Sequence, residues 1–404
     1  MKHVTSATST TSRKLPADTR LAFIALIVGG FGIGVTEFVT MGLLPQIAEG
    51  MDVTIPQAGH VVSAYAVGVV VGAPLLAVVG ARFPRRIMLT AMMVTVVVGN
   101  GLSASAQSYE TLLAARFLAG LPHGAFFGLA SLAAVSMVSA TMRGKAVGTV
   151  MLGIPLANLF GVPVATWMGQ VFGWRSAYWA VAVIGLLTIL LMRLWVPRTE
   201  ADPSLSWRKE LGAFKKSQVW LTLGVGSVGF GGMFAMYSYI APTVTEVTGQ
   251  SESWVPVFLF SFGVGSVVGN TLGGRLADWS ILRGLAVSGV LMTLLLLLFS
   301  YASQFLIPAL IVLFLISAFG ASWVICLQMR LMSVAGEAKT LGAALNHSAL
   351  NAANALGAWL GGLVIAGGFG YQAPSLVGAA LALAGLLILA VSTTKHVRDQ
   401  HLIF

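Results

Sequence analysis

The chain has 404 residues, of which 57% are hydrophobic and only 9% charged, with a mean hydropathy of +0.89. Soluble domains carry about 25% charged residues, so this composition excludes a water-soluble enzyme or binding module and points to a polytopic membrane protein. The net charge of +10 invites a nucleic-acid partner, but the placement of the basic residues assigns it to membrane topology instead.

Residues 1–20 are polar and Ser/Thr-rich and are expected to form a disordered cytoplasmic tail. The apolar run after them is too long for a signal-peptide core and lacks a small-residue cleavage site. Twelve apolar spans fall near 21–44, 58–80, 87–106, 109–136, 146–171, 176–195, 218–241, 255–277, 284–303, 305–329, 340–366 and 372–392. Lipid offers backbone groups no partners, so runs of this length must be helices. The predicted architecture is an all-α membrane protein with a six-helix bundle at 21–195, a central cytoplasmic linker at 196–217, a second six-helix bundle at 218–392, and a cytoplasmic tail at 393–404.

The first span carries Glu37, the only carboxylate expected at membrane depth. An ionised group there costs about 2.5–3.5 kcal/mol even on the gentlest scale, so an intramembrane acid points to function. Between the second and third spans lies RFPRR, with Arg82, Arg85 and Arg86. The fourth span carries Arg116. Glu37 and Arg116 each lie seven residues from the expected outer face, about 10 Å deep, so the two are expected to face each other as an ion pair. A static bridge that only fixes helix packing is the alternative. His123, two turns deeper on the face of Arg116, is either a proton relay or a neutral hydrogen-bonded core histidine.

The fifth span holds Gly153, Ala157 and Gly161 at spacing four, with Pro155 and Pro163, a pattern that lets helices touch closely and kink. Within the linker, SLSWRKELGAFKK reads either as a short amphipathic helix on the anionic leaflet or as a solvated connection. Aromatics on spans seven and eight, Phe234, Tyr237, Tyr239, Phe258 and Phe262, wall a cavity or simply pack. The loop after span eight, GGRLADWSILR, contains Gly274, Arg275, Asp278 and Arg283. The lone Cys326 in span ten forms neither an internal disulfide nor a thiolate metal site, and is expected to pack. Gln328 ends that span. In span eleven His347, Asn351 and Asn354 share one arc, offering a polar stripe to a ligand's hydroxyl or amide groups or to neighbouring helices.

With both termini inside, all of the 23 basic residues except Arg116 and Arg175 lie in cytoplasmic segments, as the positive-inside rule requires of an even number of spans. An offset of 197 residues superposes Pro45 on Pro242, Gly68 and Gly72 on Gly265 and Gly269, and Arg86 on Arg283, so the halves are repeats. Two parallel six-helix repeats with a ligand site between them describe major facilitator transporters.

Several stretches together carry a family resemblance: GFGIGVTEFVTMGLLPQIA, SAYAVGVVVGAPL, RFLAGLPHGAFFG, GIPLANLFGVPVATW and GWRSAYW. Over nearly its whole length the chain resembles the twelve-span drug and sugar proton-antiporter branch of the major facilitator superfamily, closest to arabinose-efflux-permease-like proteins. The resemblance implies a proton-coupling role for Arg116. It implies gating for the loop arginines, although Ala81 and Pro84 stand where the family has Asp and Gly; Gly274, Arg275, Asp278 and Arg283 retain the signature in the second half. It implies an antiporter seam in span five, in which Ala157, Asn158 and Val162 depart from the usual Gly or Pro.

Paired carboxylates, a metal cluster, an activated nucleophile and a phosphate-cradling loop are all missing from the sequence, so an enzyme or an ATP-driven pump is excluded. The expectation is a proton-driven efflux transporter in the bacterial inner membrane, a monomer without cofactor or metal, whose partners are protons, lipid and a small sugar or amphipathic drug. An uptake symporter or uniporter of the same fold is the alternative. In the expected cycle, proton uptake on Glu37 releases Arg116, and proton loss restores the pair.

Overall fold

The structure is a computed structural model that describes residues 17–80, 83–139, 142–198, 215–336 and 339–401. Those residues are helical apart from short turns, and no strand occurs among them. Among the described residues twelve helices are long and apolar enough to cross a membrane: α1 (Asp18–Gly42), α2 (Ile55–Leu76), α3 (Arg85–Ser105), α4 (Tyr109–Ser136), α5 (Lys145–Phe172), α6 (Arg175–Trp195), α7 (Ser217–Tyr237), α8 (Glu252–Trp279), α9 (Ile281–Ala302), α10 (Leu306–Ala335), α11 (Leu345–Ala366) and α12 (Ala373–Lys395). Arg82 and Ala81, the N-terminal tail to residue 16 and the linker from 199 to 214, which holds nearly all of the candidate amphipathic stretch, lie outside the described residues.

Burial sorts the helices into central and peripheral sets. In α1 and α7, 78% and 67% of the most apolar window is buried, against 33% in α9 and α12, so the first pair stands in the middle of the bundle. The peripheral helices turn large apolar side chains outward, as at Leu186, Leu190 and Leu194 on α6 and Leu383 and Leu387 on α12. Without water to drive association, such surfaces are covered by acyl chains and cost nothing in lipid.

The repeat is visible in the packing. Gly68 and Gly72 on α2 lie against the backbone of Phe117 and Leu121 on α4, and Gly265 and Gly269 on α8 lie against Phe314 and Ala318 on α10. Each pair of contacts is related by the same 197-residue offset. Both halves also break their first helix two or three residues before the repeated proline. Leu43, with φ −114°, separates α1 from a short helix Leu44–Gly50, and Tyr239, with φ −112°, precedes a short helix Ile240–Pro242.

Three helices depart from simple rods. α4 is broken at Leu121–Pro122 into Tyr109–Gly120 and His123–Ser136, because proline has no N–H to donate to the carbonyl of the preceding turn and its ring clashes with that carbonyl. α5 and α7 carry π-turns at Ala157–Gly161 and Val225–Gly229. The last helix continues to His401, past the expected membrane exit near 392.

The described hydrogen bonds joining the halves lie between the midplane and the end opposite the termini. There Gln46 Nε2 donates to Glu252 Oε2 at 2.8 Å and Gln170 Nε2 to the Glu252 carbonyl at 2.9 Å. Ser63 Oγ donates to the Ala355 carbonyl at 3.3 Å. Gly263 of α8 lies flush against the Asn158–Leu159 backbone of α5.

Candidate functional site

Glu37 and Arg116 occupy one buried layer, at 5% and 0% exposure, but they do not form the expected ion pair within 4.0 Å among the described residues. The reason is helical phase: successive residues of α1 point about 100° apart, and it is Thr36 that meets the guanidinium. Arg116 Nη1 donates to Thr36 Oγ1 and Nη2 to the Thr36 carbonyl, both at 2.7 Å. Thr36 Oγ1 in turn donates to Asn100 Oδ1 at 2.5 Å, and Asn100 Nδ2 is tied to the Val96 carbonyl at 2.8 Å. The guanidinium also lies between two aromatic faces, 4.5 Å from the Tyr65 centroid and 5.0 Å from that of Tyr178. Hydroxyl, carbonyl and π-faces thus hold a buried cation with no acid in direct contact, an arrangement suited to arginine's flat fork rather than to lysine.

Glu37 turns instead towards His123. Its Oε2 lies 3.9 Å from His123 Nδ1, and the same nitrogen is 3.0 Å from the Tyr65 hydroxyl. Tyr65 therefore touches both groups, its ring under Arg116 and its hydroxyl on His123. His123 begins the second segment of the broken α4, and the Pro122 kink helps bring it to this layer.

The cluster reaches across to the second half at two points. The His347 ring of α11 lies 5.6 Å from that of His123 and stacks on Phe127 at 5.2 Å with 6° between planes. Phe38, beside Glu37, stacks on Phe234 at 6.3 Å and meets Tyr237 edge-on at 6.1 Å, and Tyr237 stacks on Phe262 at 4.0 Å. The 197-residue offset sets Phe234 opposite Glu37, Phe262 opposite Tyr65 and Leu313 opposite Arg116. One half carries the charged cluster and the other fills the equivalent place with rings.

His347 thus sits with the charged cluster and not in a polar stripe shared with its helix neighbours. Asn351 donates to the His347 carbonyl at 3.0 Å, leaving Oδ1 unpaired, and both amide atoms of the fully buried Asn354 are unpaired. Gly357, one turn along α11, packs on Phe234, which places this amide face beside the aromatic cluster. Tyr239 donates to the Ala358 carbonyl at 2.7 Å and packs, and Phe258 is buried. Gln328 is half-buried near the other end of α10 and makes no hydrogen bond among the described residues.

The α5 pattern faces inward to its own half. Gly153 packs on Gly30, Ala157 on Gly34 and Gly161 on Phe31 and Val35, all on α1, with Pro155 and Pro163 flanking the π-turn. Seam residues expected to seal one half against the other therefore hold α5 to α1, and around the π-turn it is Asn158 and Leu159 that meet the other half, at Gly263.

Most gating residues sit in helices. Arg85 and Arg86 begin α3 directly after Pro84; Arg85 donates to the Leu132 carbonyl at 3.2 Å and Arg86 to the Arg193 carbonyl, so each ties down a helix of its own half. Gly274, Arg275 and Asp278 belong to the last turns of α8 and Arg283 to the first turn of α9. Asp278 neither caps a helix nor holds an arginine: Ser280 caps α9, accepting from the Arg283 amide at 3.4 Å, and the Arg283 guanidinium lies 5.4 Å over Trp279. Asp278 is exposed, without an ion pair among the described residues.

Thr36, Phe38, Tyr65, Asn100, Phe127 and Tyr178 are functional neighbours that the sequence reading passed over. Tyr65 and Tyr178 stand inside the motifs SAYAVG and GWRSAYW, and Asn100 is an amide within an apolar run, a signal that polarity at depth could have raised.

Residues 26–338 match the sequence profile described as the Major Facilitator Superfamily. The chain is 41% identical over 373 residues to the inner membrane transport protein YdhP of Escherichia coli, covering 92% of this chain and 96% of that one. It is 32% identical to the putative transporter AraJ of Escherichia coli, covering 90% and 92%. It is 33% identical to a chloramphenicol resistance protein of Streptomyces lividans, covering 67% and 70%.

Proposed function

The chain belongs to the Major Facilitator Superfamily and is a membrane transporter, not an enzyme, and on that premise we propose that it exports a small amphipathic drug or sugar from bacterial cells in exchange for protons. Similarity to an inner membrane transport protein favours the bacterial inner membrane, and similarity to a chloramphenicol resistance protein favours outward traffic of drug-like cargo. The observation that carries the reading is Glu37: a carboxylate only 5% exposed, whose nearest titratable base is His123 at 3.9 Å.

The proton cycle runs through His123 in place of Arg116. Uptake on Oε2 gives a neutral acid beside the neutral imidazole of His123; loss of that proton to water leaves a carboxylate held in the field of Arg116 and facing the imidazole lone pair. Arg116, clamped by Thr36 and two tyrosine rings, supplies a fixed positive field. His123 meets His347 of the other half, and Phe38 meets Phe234 and Tyr237, so a change at Glu37 bears directly on the contact that must part when the halves rock. With the termini in the cytoplasm, the far-end contacts close the route to the outside, the state in which cargo loads from within. The rings of Phe234, Tyr237 and Phe262, the unpaired Oδ1 of Asn351 and the unpaired amide of Asn354 together suit a molecule with one apolar face and one hydroxyl or amide face.

Everted vesicles with an imposed proton gradient test both direction and coupling. Wild-type protein should accumulate cargo only with the gradient present, whereas Glu37→Gln should exchange cargo across the membrane but fail to concentrate it. Gradient-driven accumulation by the Glu37→Gln protein at the wild-type level would end the proposal, and in intact cells a fall in accumulation on collapsing the gradient would reverse the direction to uptake.

A further inference from the structure

At the termini end of the first half, the start of α1, the end of α4 and the start of α5 enclose a niche of about 210 Å³. It is smaller than pockets that engulf drug-sized molecules, and it is separate from the Glu37 layer, which lies nearly three turns along α1 beyond Ile27, the deepest α1 residue of the lining. Its rim carries Arg20 and Lys145, both exposed, and none of its nine lining residues is acidic. Its wall is apolar: Phe23, Ile24 and Ile27 from α1 and Met142 from the α4–α5 turn. Ile24 and Ile27 lie about 6 and 10 Å deeper than Arg20 along the helix, so an apolar track leads from the cationic rim towards the hydrocarbon.

We propose that this niche binds the headgroup of one anionic phospholipid, with the phosphate at Arg20 and Lys145 and the first part of an acyl chain along Ile24 and Ile27. Charge complementarity selects the occupant. Two cations at the membrane boundary with no acid in the lining attract an anionic headgroup, and an apolar furrow below them fits a chain that a free phosphate lacks. The lipid would brace α1, the helix that carries Glu37, against α4 and α5 at the end where the halves are expected to part.

The test uses the full-length protein, purified, stripped of lipid and titrated with phosphatidylglycerol or phosphatidylcholine of matched chains, with bound lipid counted by native mass spectrometry. One phosphatidylglycerol should bind about 30-fold more tightly than phosphatidylcholine, as two boundary cations imply. Arg20→Gln with Lys145→Gln should abolish that preference while phosphatidylcholine binds as before, Arg198→Gln at an exposed site outside the niche should preserve it, and Ile24→Asn should weaken both lipids. Equal binding of the two lipids, retention of the preference by the double variant, or displacement of phosphatidylglycerol by inorganic phosphate as readily as by lipid would each overturn the proposal.

Discussion

Replacing Gly263 with alanine should open the contact between the halves. A methyl at Gly263 would lie 2.6 Å from Leu159 Cα and 2.7 Å from the Asn158 carbonyl carbon, where ordinary contact begins at 3.4 Å. The Asn158 carbonyl oxygen is closer still, so relieving the overlap requires α5 and α8 to separate by about 1 Å, and because the obstructing atoms are backbone, no side-chain rotation relieves them. Overpacking of this kind costs about 1–3 kcal/mol, and only in the state that presses the halves together. The gain in intrinsic helix propensity from glycine to alanine, about 1 kcal/mol, is the same in both states and cancels. The ratio of this closed state to the parted state should therefore fall about 5- to 150-fold. Spin labels at Gln107 and Gln304, exposed at the far end and related by the 197-residue offset, report it in a Cys326→Ala background. Wild-type protein should show mainly the short distance, Gly263→Ala a substantial longer population, and Gly274→Ala, which has nothing within 4 Å of the added methyl, no change. An unaltered distribution in Gly263→Ala would refute the packing argument.

Thr36→Val removes the hydroxyl that links Arg116 to Asn100 while sparing the Thr36 carbonyl, and should lower stability by about 1.5–3 kcal/mol, read as a reduced melting temperature in detergent. His347→Phe keeps a ring to stack on Phe127 but removes both nitrogens; cargo exchange should persist while gradient-driven accumulation is lost, and undiminished pumping would reduce His347 to packing. Asn354→Leu relieves two unpaired buried polar atoms and should raise the melting temperature by an amount equivalent to about 1–3 kcal/mol, while cargo affinity falls at least tenfold. A stabilised variant with normal affinity would remove Asn354 from the cargo site.

The membrane class, the helix count and the repeat were legible in the amino-acid order because each rests on a local or periodic property. A run of apolar residues must be helical in lipid wherever it packs, and the 197-residue recurrence of Gly68 and Gly72 at Gly265 and Gly269 reappears as the same close approach of helices in both halves. Depth counting also set Glu37 and Arg116 in one layer. What it lacked was azimuth. Counting residues from the end of a helix measures height along its axis, whereas the choice between Thr36 and Glu37 as the partner of Arg116 is a rotation of about 100°. That rotation is decided by how α1, α2 and α6 pack, which brings the Tyr65 and Tyr178 rings onto the guanidinium. The same limit moved His347 from its own helix's stripe to His123 of the other half, and turned the α5 glycines onto α1. Composition and period determine what crosses the membrane; the facing of each side chain depends on neighbours tens to hundreds of residues away, and only the packed bundle decides it.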